Sequence, residues 1–147
     1  MKIEQLKKDA IHPTKISDGV YKLYYPKEMK SVSRSIRYAG GAMSPSAWIR
    51  SAKPIKIRIG LRLHIPTGVL GLVTMDKEKA ALGWNLFQNP LILTGTQDIT
   101  LLVTNQMEGR LRPGDAIADL TFLYISPQEL DIANQDVEVK GSCNSSN

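Results

Sequence analysis

Apolar and polar residues alternate most regularly between Ile55 and Ile65. Alternate residues of a β-strand point to opposite faces, so this period of two predicts a strand with one buried face. The side chains predicted to face the core are Ile55, Ile57, Ile59, Leu61, Leu63 and Ile65. Those predicted to face outward are Lys56, Arg58, Gly60, Arg62 and His64. A basic outer face is typical of a surface that meets solvent or another subunit.

Turn residues divide the rest of the chain into short apolar runs. Pro66-Thr67-Gly68 ends the first strand, and such turns between β-branched runs predict further strands. These are predicted in 16–26, in "VLGLVTM", in "NPLIL" and "DITLLVTN" on either side of Gly95, and in "AIADLTFLYI". "GRLRPGD" predicts a turn, 31–52 predicts a loop, and "DKEKAALGW" predicts a short helix that Gly83 ends. Short strands with frequent turns favour an all-β sandwich or barrel of the jelly-roll type.

The chain is predicted to form one domain. Its 147 residues divide into an N-terminal arm at 1–15, a β domain at 16–126 and a C-terminal tail at 127–147. No apolar run reaches the roughly 20 residues of a membrane helix, and the charged N-terminus lacks the apolar stretch of a signal peptide. We therefore expect synthesis and residence in a cytoplasm, without membrane contact. The single Cys143 leaves no internal disulfide to form.

Charge is divided unevenly along the chain. Residues 1–65 contain 14 Lys and Arg against 4 Asp and Glu, whereas residues 66–147 contain 5 against 10. Such a division can mean a basic face for nucleic acid or another polyanion. It can equally mean that the two halves complement each other, within a subunit or between subunits. Because no nucleic-acid-binding motif accompanies the basic half, we regard nucleic acid as the less favoured partner.

The order of several segments resembles that of the dUTPase / dCTP deaminase superfamily. "DGVYKLYYP" is similar to the first family segment, and a strand then ends in P-x-G-x-x-G, followed by a strand that ends in Asn. The last segment has the form L-x-x-G-D-x-I-A-x-L. The residues that carry the last three are Pro66, Gly68 and Gly71, then Asn105, then Leu111, Gly114, Asp115, Ile117, Ala118 and Leu120. The resemblance spans residues 18–125 and implies a dUTPase-like β jelly roll that assembles as a homotrimer.

The residues that carry the family's chemistry are different in this chain. The resemblance puts Lys22 at an Asp of the first motif, and it puts Asp76 and Lys77 at the Arg-Ser of the phosphate-binding second motif. The catalytic Asp of the third motif falls on Ile92 or Leu93, and the aromatic that stacks on uracil falls on Gly95 or Thr96.

In the fourth motif an Arg and a Gln become Ala116 and Asp119, and the tail lacks the Gly- and Ser-rich fifth motif. An aliphatic side chain cannot take a proton from water, and an Asp repels a phosphate. We therefore predict that Lys22, Asp76, Lys77, Ile92, Gly95, Ala116 and Asp119 form no working site. Neither catalytic residues nor a cofactor or metal site are expected.

A non-catalytic dUTPase-like protein is the resulting hypothesis. The family fold is often carried by viruses and phages, so we expect a trimeric phage or viral protein that acts by protein–protein contacts, such as a capsid decoration or other virion component. It would then be made in the host cytoplasm and be found in the virion. One alternative is a regulator that binds a host factor, as the dUTPase-derived adenoviral early protein does. Another is a divergent dUTP diphosphatase.

Overall fold

The computed structural model describes residues 1–34, 53–105 and 108–125. Strands dominate this part of the chain, with one five-residue helix. The elements in chain order are β1 (Lys2–Gln5), β2 (Thr14–Ser17), β3 (Val20–Tyr24), β4 (Val32–Arg34), β5 (Ile55–His64), β6 (Val69–Met75), α1 (Lys77–Ala81), β7 (Trp84–Leu86), β8 (Leu91–Leu93), β9 (Thr96–Asn105), β10 (Gly109–Leu111) and β11 (Ala116–Tyr124). The prediction of an all-β protein is confirmed.

The strands form two main antiparallel sheets and a small ribbon. One sheet has the order β1-β5-β9-β7, and the other has the order β2-β3-β11-β6-β8. β10 and β4 pair separately as a two-stranded ribbon. Neighbours in each sheet are mostly distant in sequence, which is the pattern expected of a jelly roll rather than of consecutive hairpins.

The core is filled by the inward faces of the long strands. On β5 the alternation places Ile57, Ile59, Leu61 and Leu63 inside, each at most 1% exposed, and Ile65 just beyond the strand is also buried. The other strands contribute buried apolar side chains in the same way, including Leu23, Val73, Leu93, Ile99, Leu101, Val103, Ile117 and Leu120. The period of two therefore predicted the buried face of β5 correctly, except that Ile55 at the strand end is only partly buried.

A bulge in β5 breaks its pairing with β9. Arg58 lies opposite Thr100 and Arg62 lies opposite Asp98, so β5 has two more residues than β9 over this interval. Gly60 lies in the bulge with φ +85°, and it is buried, although the alternation predicted an outward position. A Cβ there would lie 3.1 Å from the Cβ of Ala10, because the chain after β1 crosses directly over the bulge.

Several expectations about the short strands need correction, because pairing with another strand decides where they begin and end. Residues 16–26 are not one strand: β2 and β3 form a hairpin around Asp18 and Gly19. "GRLRPGD" is a turn only from Arg112 onward, because Gly109–Leu111 pairs with β4 as β10. The segment 1–15, expected to precede the first strand, contributes β1 to the edge of β5 and begins β2.

Other expectations are met, are wrong in part or lie outside the described residues. The helix predicted over Asp76–Trp84 is present as α1, and Gly83 follows it with φ +95°. The loop predicted at 31–52 is wrong for Val32–Arg34, because these residues pair with β10 and form β4, and the rest of that segment is outside the described residues. The tail at 127–147 and Cys143 also lie outside them, so the division into arm, domain and tail stays a prediction. Within the described ranges, no helix combines the length and the apolar character needed to cross a bilayer.

Substitution of Gly60 by Ala tests the crowding at the bulge. Gly60 and Gly68 have nearly the same φ, +85° and +87°, but a Cβ on Gly68 would meet nothing within 4 Å. Both variants should lose about 1 kcal/mol from the left-handed backbone conformation, and Gly60→Ala should lose about 1–2 kcal/mol more from overpacking. Urea denaturation gives both free energies of unfolding, and equal losses would show that the chain over the bulge relaxes freely.

Candidate functional site

Three adjacent strands of the five-stranded sheet bring charged residues together on the face turned away from the core. Lys22 on β3 is in register opposite Asp119 on β11, and Asp119 lies opposite Thr74 on β6. β6 ends at Met75, and the next residue, Asp76, enters the same region. Side chains far apart in sequence therefore meet because antiparallel neighbours place opposite residues close to each other.

The Lys22 ammonium lies between two carboxylates. Its Nζ is 2.5 Å from Oδ1 of Asp76 and 2.5 Å from Oδ1 of Asp119. The Lys22 ammonium donates a hydrogen bond to Asp76, whereas the contact with Asp119 is an ion pair outside hydrogen-bond geometry. The exposed fractions of the three side chains are 18% for Lys22, 7% for Asp76 and 27% for Asp119, so these ion pairs are only weakly screened by water. We call these three residues the Lys22 cluster.

Asp76 has a second task, because it is also the N-cap of α1. Its Oδ2 accepts hydrogen bonds from the backbone N–H groups of Glu78 and Lys79, at 3.1 and 3.2 Å. These donors would have no partner within the helix, and a capping Asp satisfies them. One oxygen of Asp76 thus holds the helix and the other holds Lys22.

A second ion pair extends the Lys22 cluster toward the turn before β11. Nζ of Lys79 on α1 lies 3.1 Å from Oδ2 of Asp115, and both side chains are mostly buried. The same oxygen of Asp115 accepts a hydrogen bond of 2.9 Å from the backbone N–H of Arg112 and so closes the turn. Sequence reasoning assigned Asp115 to the family framework but not to a site, and it did not single out Lys79. Their pairing depends on how α1 packs on the turn, which no local pattern encodes.

Burial and ion pairing act in opposite directions on the pKa values of this cluster. Burial is the largest effect on Asp76 and disfavours its charged form, but hydrogen bonds from Lys22, Lys79 and Glu78 outweigh it and lower the pKa of the carboxyl. Burial likewise disfavours the charged form of Lys22, yet the Asp119 and Asp76 carboxylates together raise the pKa of its ammonium. The raised pKa of Lys22 and the lowered pKa of Asp76 both favour the charged forms of these two side chains at neutral pH.

The other predicted positions do not join this network. Ile92 lies on β8 with its side chain 56% exposed, and Gly95 lies in the turn that follows, with open space where a side chain would be. Lys77 is the exposed first residue of α1, and Ala116 begins β11 opposite Tyr24. Of the seven positions, the structure thus unites Lys22, Asp76 and Asp119.

The chemistry of the cluster is that of a closed ion network. Two lysine ammoniums, from Lys22 and Lys79, are matched by three carboxylates, from Asp76, Asp115 and Asp119. Lys22 comes from the basic half of the chain and its two partners from the acidic half, so the halves complement each other within one subunit at this point. Across the described ranges, no three His, Cys, Asp or Glu side chains converge in a way that would hold a metal ion.

Comparisons with known proteins find similarity in structure only. No family model and no curated protein sequence matches the chain. A mutant dUTPase of Staphylococcus bacteriophage 80alpha with dUpNHpp is 14% identical, with a TM-score of 0.65 over 85% of this chain and 90% of that chain. The 80alpha dUTPase with dUPNHPP is 13% identical, with a TM-score of 0.65 over 85% of this chain and 82% of that chain.

A mutant dUTPase from phage phi11 of S. aureus is 12% identical, again with a TM-score of 0.65 over 85% of this chain and 90% of that chain. At such identities the likeness concerns the fold alone. The chain has the dUTPase-like all-β fold that its order of segments implied.

Substitution of Lys22 by Met tests the cluster. The Met side chain fills a similar volume but leaves two carboxylates facing each other without a cation, so we expect a loss of about 2 kcal/mol in the free energy of unfolding. The double variant Lys22→Met/Asp119→Asn should recover part of the loss, because it removes one of the unpaired charges. Lys15→Met is the matched control, since Lys15 pairs with the fully exposed Asp18 at 3.4 Å and should leave the urea midpoint unchanged. An equal effect of the two single substitutions would contradict the role of Lys22.

The pH dependence of stability provides an independent check on Asp76. Its pKa is lower in the folded chain than in the unfolded chain, so its contribution is complete above the unfolded value and is lost as the pH falls through the folded one. The free energy of unfolding should therefore fall between about pH 5 and about pH 2. The fall should be smaller in Asp76→Asn, with a remainder from Asp98 and Glu4, whose pKa values are also lowered. If the free energy of unfolding of Asp76→Asn falls with acid as steeply as that of the native chain, Asp76 makes no such contribution.

Proposed function

We propose that this chain is a non-catalytic protein on the dUTPase fold. In this proposal it forms a homotrimer and acts through protein–protein contacts, most simply as a structural or decorating component of a phage particle. The observation that supports it above all is the Lys22 cluster, where two carboxylates hold the ammonium at positions that the resemblance assigns to nucleotide binding.

A triphosphate would be a poor ligand for this network. Phosphate oxygens need donors or cations, but Lys22 and Lys79 are already neutralised by carboxylates. To bind phosphate, Lys22 would have to leave two ion pairs, and the released carboxylates would then repel the ligand.

The hydrolytic step also lacks its expected groups. The resemblance assigns the catalytic Asp to Ile92 or Leu93, and neither aliphatic side chain has a proton-accepting atom. It assigns the stacking aromatic to Gly95 or Thr96, and neither residue has a ring to cover a base.

Apolar side chains on the surface support contacts with other proteins. Leu82, Phe87 and Ile92 are each more than half exposed, and Tyr124 is 92% exposed. Exposed apolar side chains are unremarkable singly, but several large ones on a small chain favour interaction surfaces. The solved structures that the chain resembles include phage dUTPases described as controlling the transfer of virulence genes, and this supports a regulator that binds a host factor as the second candidate.

A turnover assay tests the loss of catalysis. With dUTP and Mg²⁺, the purified chain should release no pyrophosphate above the buffer blank, and calorimetric titration with dUpNHpp should give no binding heat. The 80alpha phage dUTPase serves as the positive control in both measurements. Pyrophosphate release that scales with the concentration of this chain and follows it through two purification steps would overturn the proposal.

The site of action is tested by fractionating an infected culture. A particle component should be found with intact particles through a density gradient, at a constant ratio to the major shell protein. A regulator should instead be captured from the soluble fraction in complex with a host protein. Native mass spectrometry of the purified chain checks the trimer separately, and a monomeric mass would remove that part of the proposal.

A further inference from the structure

The outer face of β5 carries Lys56, Arg58, Arg62 and His64, and the last two contact acidic side chains on neighbouring strands. Nε of Arg62 donates to Oδ1 of Asp98 on β9 at 2.6 Å, and the His64 ring lies 3.0 Å from Oε1 of Glu4 on β1. These acids lie on the two strands that flank β5. Asp98 is directly opposite Arg62, whereas Glu4 is opposite Arg62 in the register and reaches His64 diagonally. Arg62 and His64 thus each have an acidic side chain within reach on a flanking strand.

Lys56 and Arg58 lie on the same face without such partners. In the register of the sheet Lys56 is opposite Leu102, and Arg58 is opposite Thr100, so the flanking strand presents no acid at either position. Both side chains are exposed, and within residues 1–34, 53–105 and 108–125 neither belongs to an ion pair. On this face of β5, acidic partners are present after the bulge, at Arg62 and His64, and absent before it, at Lys56 and Arg58.

The bulge adds a third cation and creates a concave surface. The backbone N–H of Leu6 donates to the carbonyl oxygen of Gly60 at 2.8 Å, and a Cβ on Gly60 would lie 3.4 Å from the Cβ of Lys7. The stem of Lys7 therefore crosses the bulge and can do so because Gly60 has no side chain. A groove of about 350 Å³ results, lined by Lys7, Lys56, Arg58, Gly60, Asp98 and Thr100 among others. We call it the basic groove.

The charge balance of the basic groove indicates its ligand. Three cations line it against one acid, Asp98, which is already paired with Arg62. A single carboxylate would neutralise one of these cations, whereas a chain of phosphates offers several negative charges and many acceptor oxygens in a small volume. The Arg58 guanidinium suits phosphate oxygens in a two-pronged contact, and the Thr100 hydroxyl can donate as well. None of the lining residues is aromatic, so nothing in the groove would stack on a base.

We propose that the basic groove binds an anion with two or more phosphate groups, through Lys7, Lys56 and Arg58. The groove lies on the four-stranded sheet and the Lys22 cluster lies on the five-stranded sheet, so the two are separate sites. The ligand is either free polyphosphate or the phosphate backbone of a nucleic acid, and the two share the same chemistry.

The test compares three probes on the full chain: tripolyphosphate by calorimetry, a labelled single-stranded DNA oligonucleotide by fluorescence anisotropy, and poly-glutamate as a carboxylate control. The variant is Lys56→Gln/Arg58→Gln. The control is Lys27→Gln/Arg112→Gln, which removes one exposed Lys and one exposed Arg outside the groove. We expect the groove variant to weaken tripolyphosphate binding by at least about tenfold for each charge removed, and the control variant to leave it unchanged.

Each outcome either supports or overturns the proposal, and the supporting outcomes distinguish the two possible ligands. Binding of both phosphate probes, with a salt dependence for DNA that flattens by about two phosphate contacts in the groove variant, supports the nucleic-acid backbone as ligand. Binding of tripolyphosphate alone supports free polyphosphate. The proposal is overturned by absence of binding, by equal loss in the control variant, or by poly-glutamate binding as tightly as tripolyphosphate. It is also overturned if native mass spectrometry shows that the groove variant loses phosphate binding only because its oligomer dissociates. None of these results depends on whether dUTP is hydrolysed.

Discussion

One ammonium between two carboxylates organises the outer face of the five-stranded sheet. Lys22 joins β3 to β11 through Asp119 and to the start of α1 through Asp76, so a single side chain connects two strands and a helix cap. Burial of these charges has an energetic cost, which is offset in two ways. Asp76 also accepts hydrogen bonds at the N-terminus of α1, and Asp119 remains partly exposed to water. A second ion pair, between Lys79 and Asp115, joins α1 to the turn before β11.

Much of the fold could be predicted from the sequence, because the long strands have one apolar face. The alternation of Ile57, Ile59 and Leu61 predicted the core side of β5, and Gly83 predicted the end of α1. The three-residue strands β4 and β10 were not predictable, since pairing with a distant segment, not local pattern, makes them strands. At the candidate site the sequence marked Lys22, Asp76 and Asp119 as departures from a family pattern. It could not show that they contact one another, because only the register of β3, β11 and β6 brings them together.

The uneven charge of the two halves has two structural explanations rather than one. Lys22 and Arg62 from the basic half are each paired with aspartates from the acidic half, so part of the imbalance is resolved within the subunit. Lys56 and Arg58 belong to the same basic half but lie opposite Leu102 and Thr100. The positive charge that has no acidic partner on β9 is therefore concentrated next to the bulge. Internal pairing and a surplus on one groove coexist on a single strand.

The mutual dependence of Lys22, Asp76 and Asp119 makes them one unit of sequence change. Loss of Lys22 leaves two carboxylates without their cation, and loss of Asp76 removes a helix cap together with an ion pair. The effects of such exchanges on stability are therefore coupled rather than additive. A change at one of the three positions therefore alters the free energy of unfolding by an amount that depends on the residues at the other two. Substitutions within the cluster thus show epistasis, and its three residues are expected to change together rather than singly.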